Sequence, residues 1–293
     1  MMEKMEELII CVVGVGQIGG SFALALRENG IGKKIIGVDK KEVVLNSNIK
    51  EIADHVTHDL EGAVKEADFI FLSTPVLSIL ELLPKIIVCM KPGAILLDSG
   101  STKRKICVAM RKHPEKILIG GHPMAGTEKA GFEAASPRLF QKKIFALCFP
   151  TQKSQEGKPM VFKILEEIGA SPYEIDEEKH DDLVSMTSHL PYVLSLSLSV
   201  LARDFTRKDS LWKDLTATGF LGAARLSLTH EEMGAGILST NSSRIINIMD
   251  EFTQRLKRIK KLIKQGRREE LLDFLRSIRN FQSTINEKHE NSS

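Results

Sequence analysis

Val12-Val13-Gly14-Val15-Gly16-Gln17-Ile18-Gly19 decides how the first half of this chain folds. It ends the apolar run Leu8–Gly14, a strand by length and composition, and leads into a helical pattern over Ser21–Asn29. Each glycine has its own task. Gly14 permits the tight strand-to-helix turn, Gly16 lets a pyrophosphate approach the backbone, and Gly19 lets helix and strand pack closely. The helix opening at Gln17 and Ile18 offers unpaired N–H groups and the positive end of its dipole to the phosphates. Asp39 closes the next apolar run, Lys34–Asp39, twenty residues beyond Gly19. An acidic side chain there accepts hydrogen bonds from the adenosine ribose hydroxyls and repels a 2′-phosphate, which favours NAD over NADP. Lys40 and Lys41 beside it pull the other way. An ordinary tight turn in a non-binding α/β protein is the duller explanation of the glycines, and the placement of Asp39 argues against it.

Outward from this stretch, short apolar runs alternate with amphipathic ones to about residue 176. Asp68–Ser73, Ala94–Asp98, Ile117–Gly120 and Ile144–Phe149 are further strands, and Ile79–Met90 is a helix between them. Such alternation predicts a Rossmann domain, a doubly wound parallel sheet, over residues 1–176. Pro150–Pro159 reads as a loop, followed by a helix over Met160–Ile168 and an extended piece, Pro172–Ile175. From Glu177 to Phe281 there is a single proline and no convincing strand. Apolar residues recur there at helical spacing (Ile245, Ile248, Met249, Phe252, then Leu256, Ile259, Ile263), so residues 177–293 read as an all-helical second domain for substrate and dimerisation.

Bulk composition narrows the partners. Hydrophobic residues are 42% and charged residues 27% of the 293, ordinary globular values that allow a packed core. A net charge of +3 does not call for nucleic acid. Between Gln254 and Arg279 stand ten Lys/Arg against three Asp/Glu, but apolar residues interleave with them, so the charges form a solvated helix face. Cys11, Cys89, Cys107 and Cys148 are scattered, with no disulfide framework and no metal-ligand spacing, as expected in a reducing compartment. The polar N-terminus resembles neither a signal peptide nor a membrane anchor. The expectation is a cytoplasmic protein acting on a small molecule, without a membrane, nucleic-acid or metal partner.

Four further segments lie where ligands bind in this architecture, after strand ends or at the start of the helical half. They are Phe71-Leu72-Ser73-Thr74-Pro75, Asp98-Ser99-Gly100-Ser101-Thr102-Lys103, Gly121-His122-Pro123-Met124-Ala125-Gly126-Thr127-Glu128 and Ser188-His189-Leu190-Pro191. With His180-Asp181 and Gly219-Phe220 leading to Arg225, in that order, they resemble the prephenate/arogenate dehydrogenase family of tyrosine biosynthesis. The resemblance runs from the glycine turn to about Asn241.

It implies an NAD-dependent oxidative decarboxylation. A hydride leaves ring C4 of prephenate or arogenate, a base takes the C4 hydroxyl proton, and CO₂ departs as the ring becomes aromatic. The resemblance assigns the base to His122, with Ser101 holding the same oxygen and Arg225 gripping a carboxylate. His189 supports near the nicotinamide, and Glu128 stands at the pocket mouth. A neutral imidazole suits the base, and the planar fork of arginine suits the carboxylate. Each has a plainer alternative. Ser101 could be only a helix N-cap before Lys103–Met110, His189 a core histidine at a kink made by Pro191, and Arg225 a surface residue of a helix over Leu221–Thr229. His180 and His230 read as surface or structural residues. Family members often carry a second histidine where this chain has Tyr192, placing Tyr192 among the substrate residues. They often carry an aromatic residue where it has Gly234. The resemblance also implies a homodimer through the helices. A dehydrogenase of the 3-hydroxyacid type and a non-catalytic NAD-sensing regulator are the competing readings; the first would want a catalytic lysine in the helical half, and none stands in a pocket-like motif.

Overall fold

A computed structural model describes residues 5–45, 51–126, 131–208 and 210–290. The first half alternates strand and helix as the sequence predicts. In chain order these are β1 (Ile9–Val13), α1 (Gln17–Glu28), β2 (Lys34–Val38), α2 (Lys41–Val44), β3 (His55–Thr57), α3 (Leu60–Glu66), β4 (Phe69–Leu72), α4 (Val76–Cys89), β5 (Ile95–Asp98), α5 (Arg104–Met110), β6 (Ile117–Pro123), β7 (Ile144–Cys148), α6 (Ser154–Glu167) and β8 (Ser171–Glu174). They form one eight-stranded sheet in the order β3-β2-β1-β4-β5-β6-β7-β8. Every neighbouring pair is parallel except β6 and β7. The central strands are apolar throughout because helices cover both faces. One face is closed by a core built on Phe22, Phe69, Phe71, Phe140 and Phe145, the other by one built on Ile79, Leu83, Ile86, Ile106 and Met110.

Two local features depart from the sequence reading. The strand β3 was not legible, being three residues long and only partly buried. Helix α6 begins at Ser154, inside the expected loop. Thr151 and Ser154 bond each other's backbone N–H through their hydroxyls and start it, and Pro159 is tolerated inside it at the loss of one backbone hydrogen bond.

Beyond β8 the chain is helical: α7 (Glu177–Val184), a π-helical turn (Ser185–His189), α8 (Leu190–Thr206), α9 (Thr218–Ala224), α10 (Glu231–Thr240), α11 (Ser242–Gln265) and α12 (Arg268–Glu290). The expected kink at Pro191 is this π turn. Proline has no N–H for the carbonyl four residues back, and the wider turn absorbs that loss. The expected helix over Leu221–Thr229 is α9 followed by a tighter 3₁₀ turn, Arg225–Leu228. The run Glu177–Thr206 is by length and composition alone apolar enough to cross a bilayer, yet its buried polar groups bond to the loop after β5 and to His122 of β6. Compactness divides the chain at residue 242. Met1–Ser242 contains the sheet and α7–α10. Ser243–Ser293 is a helical unit of its own, in which Gly266, at φ +62°, makes the turn between two amphipathic helices.

Candidate active site

The sheet order reverses between β1 and β4, which opens a crevice at the carboxyl ends of those strands. The glycine turn leaves β1 there, beside Ser73 and Thr74 at the end of β4. A Cβ on Gly14, whose φ is +88°, would lie 2.3 Å from the Ser73 carbonyl oxygen, and one on Gly19 would lie 1.9 Å from the Gly14 carbonyl oxygen. Both positions exclude any side chain. A Cβ on Gly16 would meet nothing within 4 Å, so its bareness leaves open space above the turn. As N-cap of α1, Gly16 offers that helix no side-chain partner. Gln17 reaches the Ala134 carbonyl at 3.4 Å, and Ile18 is half-buried. Asp39, just past β2, accepts the Val15 N–H at 2.8 Å and the Lys40 N–H at 2.7 Å, which holds its carboxylate against the turn. The Ser73 hydroxyl bonds that of Ser99 at 3.0 Å, and the buried Thr74 Oγ1 has no partner among the described residues. Pro75 caps α4. The structure thus gathers the whole expected dinucleotide set on one edge.

One strand further along, β5 and β6 end in loops tied by a fully buried ion pair that sequence reasoning did not single out. The Asp98 carboxylate accepts Gly100 N–H at 2.7 Å, Gly121 N–H at 3.1 Å and the Lys103 ammonium, which also donates to the Gly121 carbonyl at 2.5 Å. Burial pushes the Asp98 carboxyl up, against the pull of Lys103 and the two amides. This knot sets the half-buried Ser101, on the loop after β5, beside the half-buried His122, near the end of β6. Ser101 does not cap α5. That role falls to Asp181 of α7, whose carboxylate accepts the Lys103 and Arg104 N–H groups at 2.7 and 3.0 Å.

Asp181 also decides between the two readings of its neighbour, surface or structural. His180 is no surface residue: it is 2% exposed, its Nδ1 lies 2.8 Å from Asp181 Oδ1, and its Nε2 lies 2.9 Å from His122 Nδ1. The physical reason is the cap, which holds α7 against the start of α5 and so carries His180 inside. Burial raises the Asp181 carboxyl, but His180 and the two amides outweigh it, and the net is a pKa below the usual carboxylate range. The acceptor end of the chain is therefore an anion. A carboxylate only accepts, so His180 Nδ1 donates to Asp181, and an Nε2 left without a proton receives the His122 Nδ1–H. His122 Nε2 is left with its lone pair, the arrangement of a general base. Loss of water around the ring, then His180, Lys103 and His189, hold His122 well below its ordinary pKa, so it is neutral at neutral pH.

His189, at the end of the π turn, is 1% exposed; its Nδ1 lies 3.2 Å from Asn241 Nδ2, and burial pushes its pKa down to about 4. Thr240, at the end of α10, bonds Thr102 at 2.7 Å, fastening the helical segment to the loop that carries Ser101. Tyr192, one turn beyond His189 on α8, occupies the space beside Gly234: a Cβ there would lie 2.1 Å from its hydroxyl. The tyrosine fills what an aromatic residue at 234 would need. Arg225 is exposed, on the 3₁₀ turn packed along α8, while Glu128 lies outside the described residues. An open cavity of about 500 Å³ lined by Arg203, Arg207, Trp212 and Phe220 lies elsewhere and contains none of these residues. Among the described residues, no three His, Cys, Asp or Glu side chains could hold a metal ion.

The signal for the missed residues was faint but present. Asp98 is a charge ending an apolar strand, and Lys103 and Asp181 stand within motifs quoted above for other reasons.

Comparison with known proteins gives this edge its relatives. Residues 22–174 match the nucleotide-binding domain model of prephenate dehydrogenase, and residues 176–277 match its dimerization domain model. The chain is 32% identical to the prephenate dehydrogenase of Lactococcus lactis over 85% of its own length and 70% of that protein. Its fold is similar to that of the Aquifex aeolicus prephenate dehydrogenase solved with hydroxyphenyl propionate and NAD+ (TM-score 0.87, 28% identity, 95% of this chain and 98% of that one). It is also similar to Synechocystis arogenate dehydrogenase (TM-score 0.77, 29% identity, 95% and 100% covered). Both halves match in order and share one architecture with those enzymes, so the chain belongs to the prephenate dehydrogenase family.

Proposed function

We propose that this protein oxidatively decarboxylates prephenate to 4-hydroxyphenylpyruvate, or arogenate to tyrosine, with NAD as oxidant. The observation that carries this reading is the chain Asp181–His180–His122, which turns His122 Nδ1 toward His180 and leaves its Nε2 for a substrate, two strands beyond the dinucleotide crevice.

The crevice fits NAD. Gly16 leaves room for the pyrophosphate, the α1 N-terminus favours its charge, and Asp39 suits the adenosine ribose. When bound, the nicotinamide supplies the hydride acceptor. The protein's own residues handle the proton and the carboxylates. His122 Nε2 draws the proton from the C4 hydroxyl, and Ser101 holds that oxygen in line. The resulting imidazolium is stabilised through His180 by the Asp181 carboxylate, which the α5 amides keep ionised. Arg225 grips a carboxylate, with His189, Tyr192 and Glu128 completing the substrate side.

Residues 1–176 serve as the nucleotide-binding domain and 177–293 as the substrate and dimerisation domain. Exposed apolar residues along α11 (Ile246, Met249, Leu256, Ile259, Ile263) and α12 (Leu275, Ile278, Phe281) support a homodimer. The four cysteines are unpaired, as suits the cytoplasm. The test is NADH formation, followed by absorbance, with prephenate and with arogenate. Turnover of either supports the reading, and the ratio of kcat/KM values names the substrate. Flat absorbance with both, in protein that binds NAD⁺, overturns it.

A further inference from the structure

Asn241 stands directly after α10 and is 1% exposed. Its Nδ2 lies 2.8 Å from the Asp181 backbone carbonyl and 3.2 Å from His189 Nδ1. A peptide carbonyl only accepts, so the atom facing it must be the amide NH₂, and this fixes which way the Asn241 side chain points. The second hydrogen of the NH₂ then meets His189 Nδ1, which has to be the bare nitrogen. The ring proton belongs on Nε2. That Nε2 is buried and without a partner among the described residues, and so is Asn241 Oδ1. Buried donors are almost always satisfied, and the exceptions point to a partner that arrives from outside.

We infer that Asn241 is a positioning residue that locks His189 as the Nε2–H tautomer, keeping one fixed donor for an acceptor oxygen of the bound reactants. This deepens the proposed function, since it rests on His189 belonging to the reactant site. Burial of the ring keeps it neutral at working pH, so a single N–H is available. The same asparagine holds the backbone of Asp181, whose carboxylate orients His180. One amide thus sets the proton position on His189 and steadies the support of His122. The acceptor is an oxygen of the nicotinamide carboxamide or of a substrate carboxylate.

The tautomer is read directly from long-range ¹H–¹⁵N spectra of the full-length protein labelled at histidine, with His189→Gln used to identify the signals. Wild type should show the Nε2–H pattern, and Asn241→Asp, whose carboxylate accepts, should move the proton to Nδ1. The isosteres give a second measurement. Glutamine carries a donor near the Nε2 position and asparagine one near Nδ1, so His189→Gln should keep kcat/KM on the order of tenfold above His189→Asn, about the worth of one hydrogen bond. A shift of the His189 signals on adding NAD⁺ alone assigns the oxygen to the carboxamide, and a shift on adding prephenate alone assigns it to the substrate. An Nδ1–H pattern in wild type, equal activity of the two isosteres where wild type turns over, or no response to either ligand would overturn the inference. The wild-type spectrum needs no turnover, so an inactive protein with the Nε2–H pattern would sink the proposed reaction and leave the tautomer lock standing.

Discussion

His122 Nδ1 and His180 Nε2 meet at 2.9 Å with their rings 69° apart, so the two histidines share one proton position rather than stacking. Their relation is set by neither residue but by Asp181, which is at once the end of the proton chain and the N-terminal cap of α5. The cap of a helix and the orienter of the histidine pair are here one carboxylate.

His122→Ala should lower kcat by about 10²–10⁴, the usual worth of a general base, with NAD⁺ affinity little changed. His180→Ala should lower kcat as well, by less, because the base remains but its proton position is no longer fixed. Steady-state kinetics beside NAD⁺ binding by calorimetry checks both. Wild-type turnover in His122→Ala would contradict the assigned role.

Gly16→Ala and Gly19→Ala should part ways. The first places a methyl in open space, so thermal stability should hold while NAD⁺ binding weakens. The second drives a Cβ to 1.9 Å from the Gly14 carbonyl, so the protein alone should melt lower or fail to fold. Melting curves with and without NAD⁺ separate the two effects.

Lys103→Met should destabilise the protein by about 3–5 kcal/mol, because it leaves Asp98 buried without its counter-charge. Asp98→Asn placed on top should recover part of the loss. Urea unfolding at neutral pH gives both numbers, and a Lys103→Met protein as stable as wild type would refute the account of the knot.

Stability should fall with acid on account of His189. Its folded pKa of about 4 lies below that of an unfolded histidine, near 6.5, so the unfolded chain takes up the proton first. The contribution is complete above about pH 6.5 and is lost as pH falls toward 4, with a ceiling of about 3 kcal/mol for a shift of this size. Urea midpoints at pH 7 and pH 5 should differ less in His189→Gln than in wild type.

The first half of the fold was legible because its signals are local. A glycine turn between an apolar run and a helix, with Asp39 at the end of the next strand, fixes a βαβ unit through backbone sterics and periodicity alone. The base we propose was suggested only by family resemblance. Nothing local marks His122 over the other histidines, and His180 was left between a surface and a structural reading because its neighbours Glu177, Glu178, Lys179 and Asp182 are charged.

By itself, then, the sequence determined the strand and helix alternation, the glycine turn and the family. The sterics of glycine and the period of apolar residues act within a few positions of the chain. Tertiary structure decided which histidine stands behind His122, which carboxylate holds that histidine, and which nitrogens face one another. Those depend on Asp181 meeting α5 some 77 residues away and Asn241 meeting His189 some 52 residues away, and such pairings exist only once the loops have closed.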